Sequence, residues 1–327
     1  MEDIRRFFDV GKLERVLIHS PGKEIGKKLL SRHSDHLFKD VPEFEVLRQQ
    51  HEVFLEKLES EGVETVQIRD ILSQEDNRNR SLEELPNLMY TRDLAAVVGK
   101  DLLICNMKED VRKKETEILE KAFLDFLEPE SDFFKTGRSI EGGDIFLPSK
   151  DTIIIGNSLR TSKKAIKEFA ISFFDSKRQI ENIVVLDLHE KDRYIHLDMA
   201  FSQLDRKKFL VDEKAFKDSK ITVLENSKNG LSVSNYRADF ESLFGDIIGL
   251  DDYQVLGLNS EERKEQKTCG LNLLPIEESR VFGYRENSLI NSKLRENGVE
   301  VIEVPGSELV KGNGGPRCMT MPLNIGA

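Results

Sequence analysis

Four short segments carry side chains that could do chemistry together. Thr91-Arg92-Asp93 and His196-Leu197-Asp198 each offer a carboxylate, Glu141-Gly142-Gly143-Asp144 offers two, and Cys318 follows the run Gly312-Asn313-Gly314-Gly315-Pro316-Arg317. A glycine-rich run folds tightly and comes close to a ligand, so a cysteine at its end reads as reactive rather than packed. Singly, each has a plainer reading. Asp93 serves as a cap or turn residue, Glu141 to Asp144 as a polar turn, His196 as a satisfied strand histidine and Cys318 as a small core residue. Together they suit a planar cation. A guanidinium presents its N–H donors in a fixed fork that matches carboxylates, and Asp93 and Asp198 supply such carboxylates. Its carbon is a weak electrophile because the charge is delocalised, so it needs a strong nucleophile, and the Cys318 thiolate suits. A free thiol of pKa ~8.5 is only slightly ionised at neutral pH, and a bound cation or a protonated His196 raises that fraction. His196 then protonates the departing nitrogen and activates water, while Glu141 orients His196 or shares the proton.

These residues need a scaffold, and the pattern along the chain alternates. Arg15–His19 reads as a strand closed by Ser20-Pro21-Gly22, Glu43–Glu61 as an amphipathic helix stopped by Gly62, and Val63–Ile68 as a half-buried strand. Strands are predicted over Asp101–Cys105, Thr152–Ile155, Ile183–Leu186, Lys208–Val211 and Val299–Val304, and helices over Glu109–Phe126, Ser162–Phe174 and Ser288–Glu296. Period-two alternation puts His196 and Asp198 on one face of a further strand. Interleaved short strands and helices give an α/β class. The stretch from Phe216 to Lys267 is charged and weakly periodic. With no repeat, low-complexity segment or linker to divide it, residues 1–327 are expected to form a single catalytic domain.

Apolar residues make up 38% and charged residues 33% of the chain, and the net charge is −11. This balance supports a core under a polar surface, disfavours nucleic acid and anionic membrane, and mildly attracts a cationic small molecule. Three cysteines, no apolar signal-like start and no span-length apolar run point to a cytoplasmic protein. The oligomeric state is not specified, and a homo-oligomer is compatible with the sequence. The candidate residues are scattered singly, without C-x-x-C or H-E-x-x-H spacing, so no metal is expected. The Gly312 loop lacks the lysine-serine tail of a phosphate loop, and no cofactor is expected either.

In their order and spacing, the four segments resemble the arginine deiminases of the guanidine-modifying superfamily. The likeness also takes in Val16 to Gly22, Asn272 to Leu274, and Tyr284 through Asn287 to Leu309. The resemblance implies a pentein-type α/β propeller of five ββαβ-like modules with pseudo-fivefold symmetry. It implies that Asp93 and Asp198 hold the guanidinium, Glu141 and His196 move protons and Cys318 is the nucleophile. It also implies that Asn87, Arg112 and Arg160 hold the substrate carboxylate, the latter two by their spacing after Asp93 and Glu141. The activity implied is hydrolysis of L-arginine to L-citrulline and ammonia through a covalent cysteine thiouronium. A methylarginine hydrolase, an amidinotransferase and an arginine dihydrolase share that chemistry, and a non-catalytic arginine-binding protein is the reading from another class. The chain departs from the family pattern in three ways. Few residues precede Asn87, so the extra helical domain usual there is missing or nearly so. Asn313 stands where the family often has arginine, and Pro316 where it often has glycine.

Overall fold

The computed structural model describes residues 4–22, 24–25, 32–72, 82, 84–126, 131–176, 180–189, 193–227, 230–237 and 239–326. Five sheets among these residues share one pairing rule. In the first, β1 (Leu13–Ile18) runs antiparallel to β17 (Met321–Ile325) and parallel to β2 (Glu64–Gln67). In the second, β4 (Asp101–Ile104) lies antiparallel to β3 (Ala95–Val98) and parallel to β5 (Phe133–Phe134). In the third, β7 (Thr152–Asn157) lies between antiparallel β6 (Ile145–Phe146) and parallel β8 (Asn182–Asp187). In the fourth, β10 (Lys208–Val211) lies between antiparallel β9 (Phe201–Asp205) and parallel β13 (Gln254–Gly257). The fifth has β15 (Arg280–Tyr284) between antiparallel β14 (Leu274–Glu277) and parallel β16 (Glu300–Val304).

Parallel neighbours require a crossover, most often a helix. Four crossovers are helical: α1 (Phe44–Ser60), α2 (Lys113–Phe126), α3 (Lys163–Asp175) and α4 (Ser288–Glu296). The sequence explains them locally. The Glu43 side chain accepts from the Val46 N–H and Ser162 from the Ala165 N–H, so both helices start on satisfied donors. In α1 the buried Leu47, Phe54 and Leu58 join one apolar cluster with Val16, Ile18 and Phe282, fastening the first and fifth sheets together. Each such side chain contributes about 1.5–3 kcal/mol on burial.

The predicted helices and strands agree with the structure to within a few residues, and the mixed α/β class holds. The strand reading of His196-Leu197-Asp198 does not. Leu197–Met199 is a 3-10 turn with His196 at its N-cap. A three-residue turn is too short to leave a period, and two polar residues flanking a leucine imitate strand alternation. The weakly periodic stretch contains β11 (Lys220–Ser227) and β12 (Gly230–Arg237), a hairpin that leaves the fourth sheet and adds to the third through β8. It also contains π-helical winding over Glu241–Ile247, which holds the Phe244 ring 4.0 Å from Phe209. Such winding does not keep a 3.6-residue period, and the exposed outer strand β12 shows little apolar patterning. No helix among the described residues is long and apolar enough to cross a membrane.

Candidate active site

The chemically capable residues occupy equivalent places in the fold, on tight turns just before the first strand of a sheet. Asp93 ends the 3-10 turn Thr91–Asp93 before β3, and Glu141 caps Gly142–Asp144 before β6. His196 and Asp198 lie before β9, and Cys318 lies before β17. The turns pack on one another at their backbones. A Cβ on Gly143 would fall 2.8 Å from the His196 ring and 3.0 Å from Asp93 Oδ1, and one on Gly142 would fall 2.0 Å from the Arg92 carbonyl oxygen. Only glycine permits this approach.

The cluster is buried. His196 Nε2 lies 2.7 Å from Glu141 Oε2, and Nδ1 lies 3.6 Å from Asp93 Oδ1. Glu141 Oε1 accepts from the Lys108 N–H at 2.9 Å, fixing the carboxylate. Burial alone lowers the His196 pKa, but the Asp93 charge, the Glu141 hydrogen bond and Asp144 outweigh it and push it to about 10. His196 is therefore an imidazolium at neutral pH. Burial alone raises the Asp93 pKa, yet His196 and Arg112 hold it below the usual carboxylate range. Cys318 Sγ lies 3.7 Å from Asp198 Oδ2. Burial pushes its pKa well above the ordinary range, and the Asp198 and Asp93 charges add to this, so the thiol is protonated.

Two carboxylate oxygens, Asp93 Oδ1 and Asp198 Oδ1, have no hydrogen-bond partner, and neither do Asn87 Nδ2 and Arg160 Nε. Arg160 makes only long ion pairs, at 3.8 Å to Glu109 and 3.9 Å to Glu141. Arg112 differs sharply. Its Nη1 donates to Asp93 Oδ2 at 2.6 Å, its Nε to Glu115 at 2.8 Å and its Nη2 to the carbonyls of Asn87 and Tyr90. Asn87, Asp93, Arg112, Arg160, His196 and Cys318 border a pocket of only about 30 Å³, which Leu37 and Gly312 to Gly314 also line. That is room for one or two waters.

The arginine deiminase family model matches residues 73–324. The chain belongs to the arginine deiminase family. It is 27% identical to the arginine deiminase of Borrelia garinii subsp. bavariensis, across 99% of this chain and 98% of that protein. It is 28% identical to that of Listeria monocytogenes serotype 4a, across 97% and 96%. Membership makes it a hydrolase acting on guanidino C–N bonds. The alignment with the Borrelia protein spans 406 positions against 327 residues here, so that relative carries inserted residues this chain lacks. Among solved structures, DDAH from Pseudomonas aeruginosa, a mutant complexed with citrulline, superposes with a TM-score of 0.66. It is 18% identical and covers 95% of this chain and 99% of its own. The N-terminal domain of ArgZ, an arginine dihydrolase bound to product, gives 0.66 at 15% identity, covering 95% and 97%. At these identities the likeness is one of fold.

Several supporting residues of this family member entered the sequence reading only as parts of longer segments, or not at all. Arg317 Nη1 donates to Asp198 Oδ2 at 3.0 Å and Nη2 to the Ile145 carbonyl at 2.9 Å, while its guanidinium sits 3.9 Å over the Phe146 ring. Asn272 Oδ1 accepts from the N–H groups of Gly315 and Cys318 at 3.1 and 2.9 Å, fastening both ends of the cysteine turn. Asn272 precedes β14, the fifth of the equivalent turns. Asp144 accepts from the Leu197 N–H and from Ser158, and Glu115 holds Arg112. Asp144 had a signal in the Glu-Gly-Gly-Asp run; Glu115, inside a charged helix, had none. The scatter read against a metal site also proved no guide to distance. Asp93, Glu141 and His196 offer ligand atoms within 4.8 Å of one another. The imidazolium and Arg112 already supply positive charge to those carboxylates.

Proposed function

We propose that this protein is an arginine deiminase, hydrolysing L-arginine to L-citrulline and ammonia through a covalent intermediate on Cys318. One observation carries the reading: buried oxygens of Asp93 and Asp198 that accept no hydrogen bond accompany Asn87 Nδ2 and Arg160 Nε, which donate none. A guanidinium satisfies the first pair and a carboxylate the second, and arginine has both. Arg112, with its donors engaged by Asp93 and Glu115, acts by positioning Asp93 rather than by holding the carboxylate.

The protonated thiol is consistent with this chemistry. A guanidinium between Asp93 and Asp198 offsets the charges that help to hold the Cys318 proton, so the substrate itself favours the thiolate. The Cys318 proton leaves to solvent as the substrate binds and returns when citrulline departs, and the thiolate sulfur forms a bond to the guanidinium carbon. His196 passes its proton to one terminal nitrogen, the C–N bond breaks and ammonia leaves a thiouronium. Water then attacks the same carbon, one of its protons returns to His196, the C–S bond breaks and the thiolate is regenerated. The second proton goes to solvent, where it meets ammonia as ammonium. The repeated pairing of the five sheets and the equivalent turns further support a five-module propeller about a pseudo-fivefold axis, forming one catalytic domain.

A citrulline assay tests the reaction. The wild-type protein is expected to yield citrulline and ammonia in equal amounts. Cys318→Ala is expected to bind arginine with turnover reduced to background, and normal turnover in that variant would sink the assignment. Ornithine as the product would mark an arginine dihydrolase, and dependence on an amine acceptor an amidinotransferase.

A further inference from the structure

Next to the reaction pocket lies a second, much larger cavity of about 540 Å³. Its wall includes Lys39, Arg193, Lys214, Arg263, Lys264 and Lys267, and none of the described residues lining it is acidic. In a chain of net charge −11, this concentration of positive charge is a local exception. Arg263 is paired with Asp212 at 2.8 Å and Lys264 with Glu261 at 2.6 Å. Among the described residues, Lys39 reaches only the Lys267 carbonyl, at 3.4 Å. Lys39, Lys214 and Lys267 have no carboxylate partner among the described residues. Three lysines with no carboxylate partner among the described residues, lining one concavity, focus a positive potential there. The volume lies within the range of small-molecule sites, roughly 300–1,000 Å³.

The guanidine reaction does not account for this charge, because a cationic wall opposes a cationic substrate. Ile195 and Asn313 line both cavities, so the basic one borders the reaction pocket and the cysteine loop. We propose that this vestibule is a binding site for a multivalent phosphate-class oxyanion, held by Lys39, Lys214 and Lys267. The site stands apart from the proposed reaction, and its test needs no turnover.

Isothermal titration at constant ionic strength, with inorganic pyrophosphate as the probe, provides that test. Wild-type protein is expected to bind at a single site, and Lys39→Gln/Lys214→Gln/Lys267→Gln to bind at least tenfold more weakly. A control with the same charge change elsewhere, Lys121→Gln/Lys164→Gln/Lys167→Gln, is expected to bind like wild type, and thermal melts check that all three proteins fold. ADP in place of pyrophosphate separates the sources of the anion: tighter binding assigns the site to a nucleotide, equal or weaker binding to an inorganic anion. Absence of pyrophosphate binding, an unchanged affinity in the vestibule variant, or an equal loss in the control overturns the proposal.

Discussion

At the scale of residues, the candidate site divides its arginines by what their donors already touch. Arg112 is enclosed by Asp93, Glu115 and two carbonyls, while Arg160 Nε makes no hydrogen bond and only a long ion pair to Glu109. Removing one partner of a buried pair costs about 3–5 kcal/mol, because the other charge is left uncompensated. Arg112→Ala is therefore expected to lower both melting temperature and turnover. Arg160→Ala is expected to leave the fold intact and raise KM for arginine about tenfold or more, since a hydrogen bond to a charged group contributes ~1.5–3 kcal/mol. Agmatine has the guanidinium but no carboxylate, so its binding should barely change. Melting curves and steady-state kinetics with both ligands check this pair. An equal loss for arginine and agmatine would remove Arg160 from the carboxylate site.

At the scale of elements, the recurring device is the tight turn before a first strand. Each turn is too short to hold a functional geometry by itself, and the neighbouring turns hold it. The contact between Gly143 and His196 is the closest test. A methyl group there would meet the imidazole at 2.8 Å and Asp93 Oδ1 at 3.0 Å, both of them buried groups with little room to retreat. Gly143→Ala is expected to displace His196 from Glu141 and to lower kcat about 100-fold, the scale expected of an ångström-sized misplacement. The signature to seek is a fall in kcat with binding of arginine largely kept. Wild-type kcat in this variant would mean that the packed turns do not set the His196 geometry.

At the scale of the whole molecule, the two ends of the chain meet. β17 pairs with β1, and the Leu323 carbonyl accepts from the Arg5 N–H at 2.8 Å. Met321, Leu323 and Ile325 are buried, each contributing about 1.5–3 kcal/mol. A domain has only about 5–15 kcal/mol of net stability, so deleting residues 321–327 is expected to abolish cooperative folding, although Cys318 is retained. Circular dichroism melts check this, and a native-like transition would refute the role given to this strand. The sequence by itself determined the amphipathic helices and most central strands, and it singled out the candidate reacting groups. Those are local properties of pattern and residue type, and Asp93, Glu141, His196, Asp198 and Cys318 do come together. Only tertiary structure decided which donors and acceptors stay free. Whether Arg112 or Arg160 has an open N–H depends on partners from other segments. So does the support that Arg317 gives to Asp198 and Asn272 to Cys318, across 119 and 46 residues of chain. Hydrogen-bond satisfaction is a property of the assembled neighbourhood, and no periodicity in the chain records it.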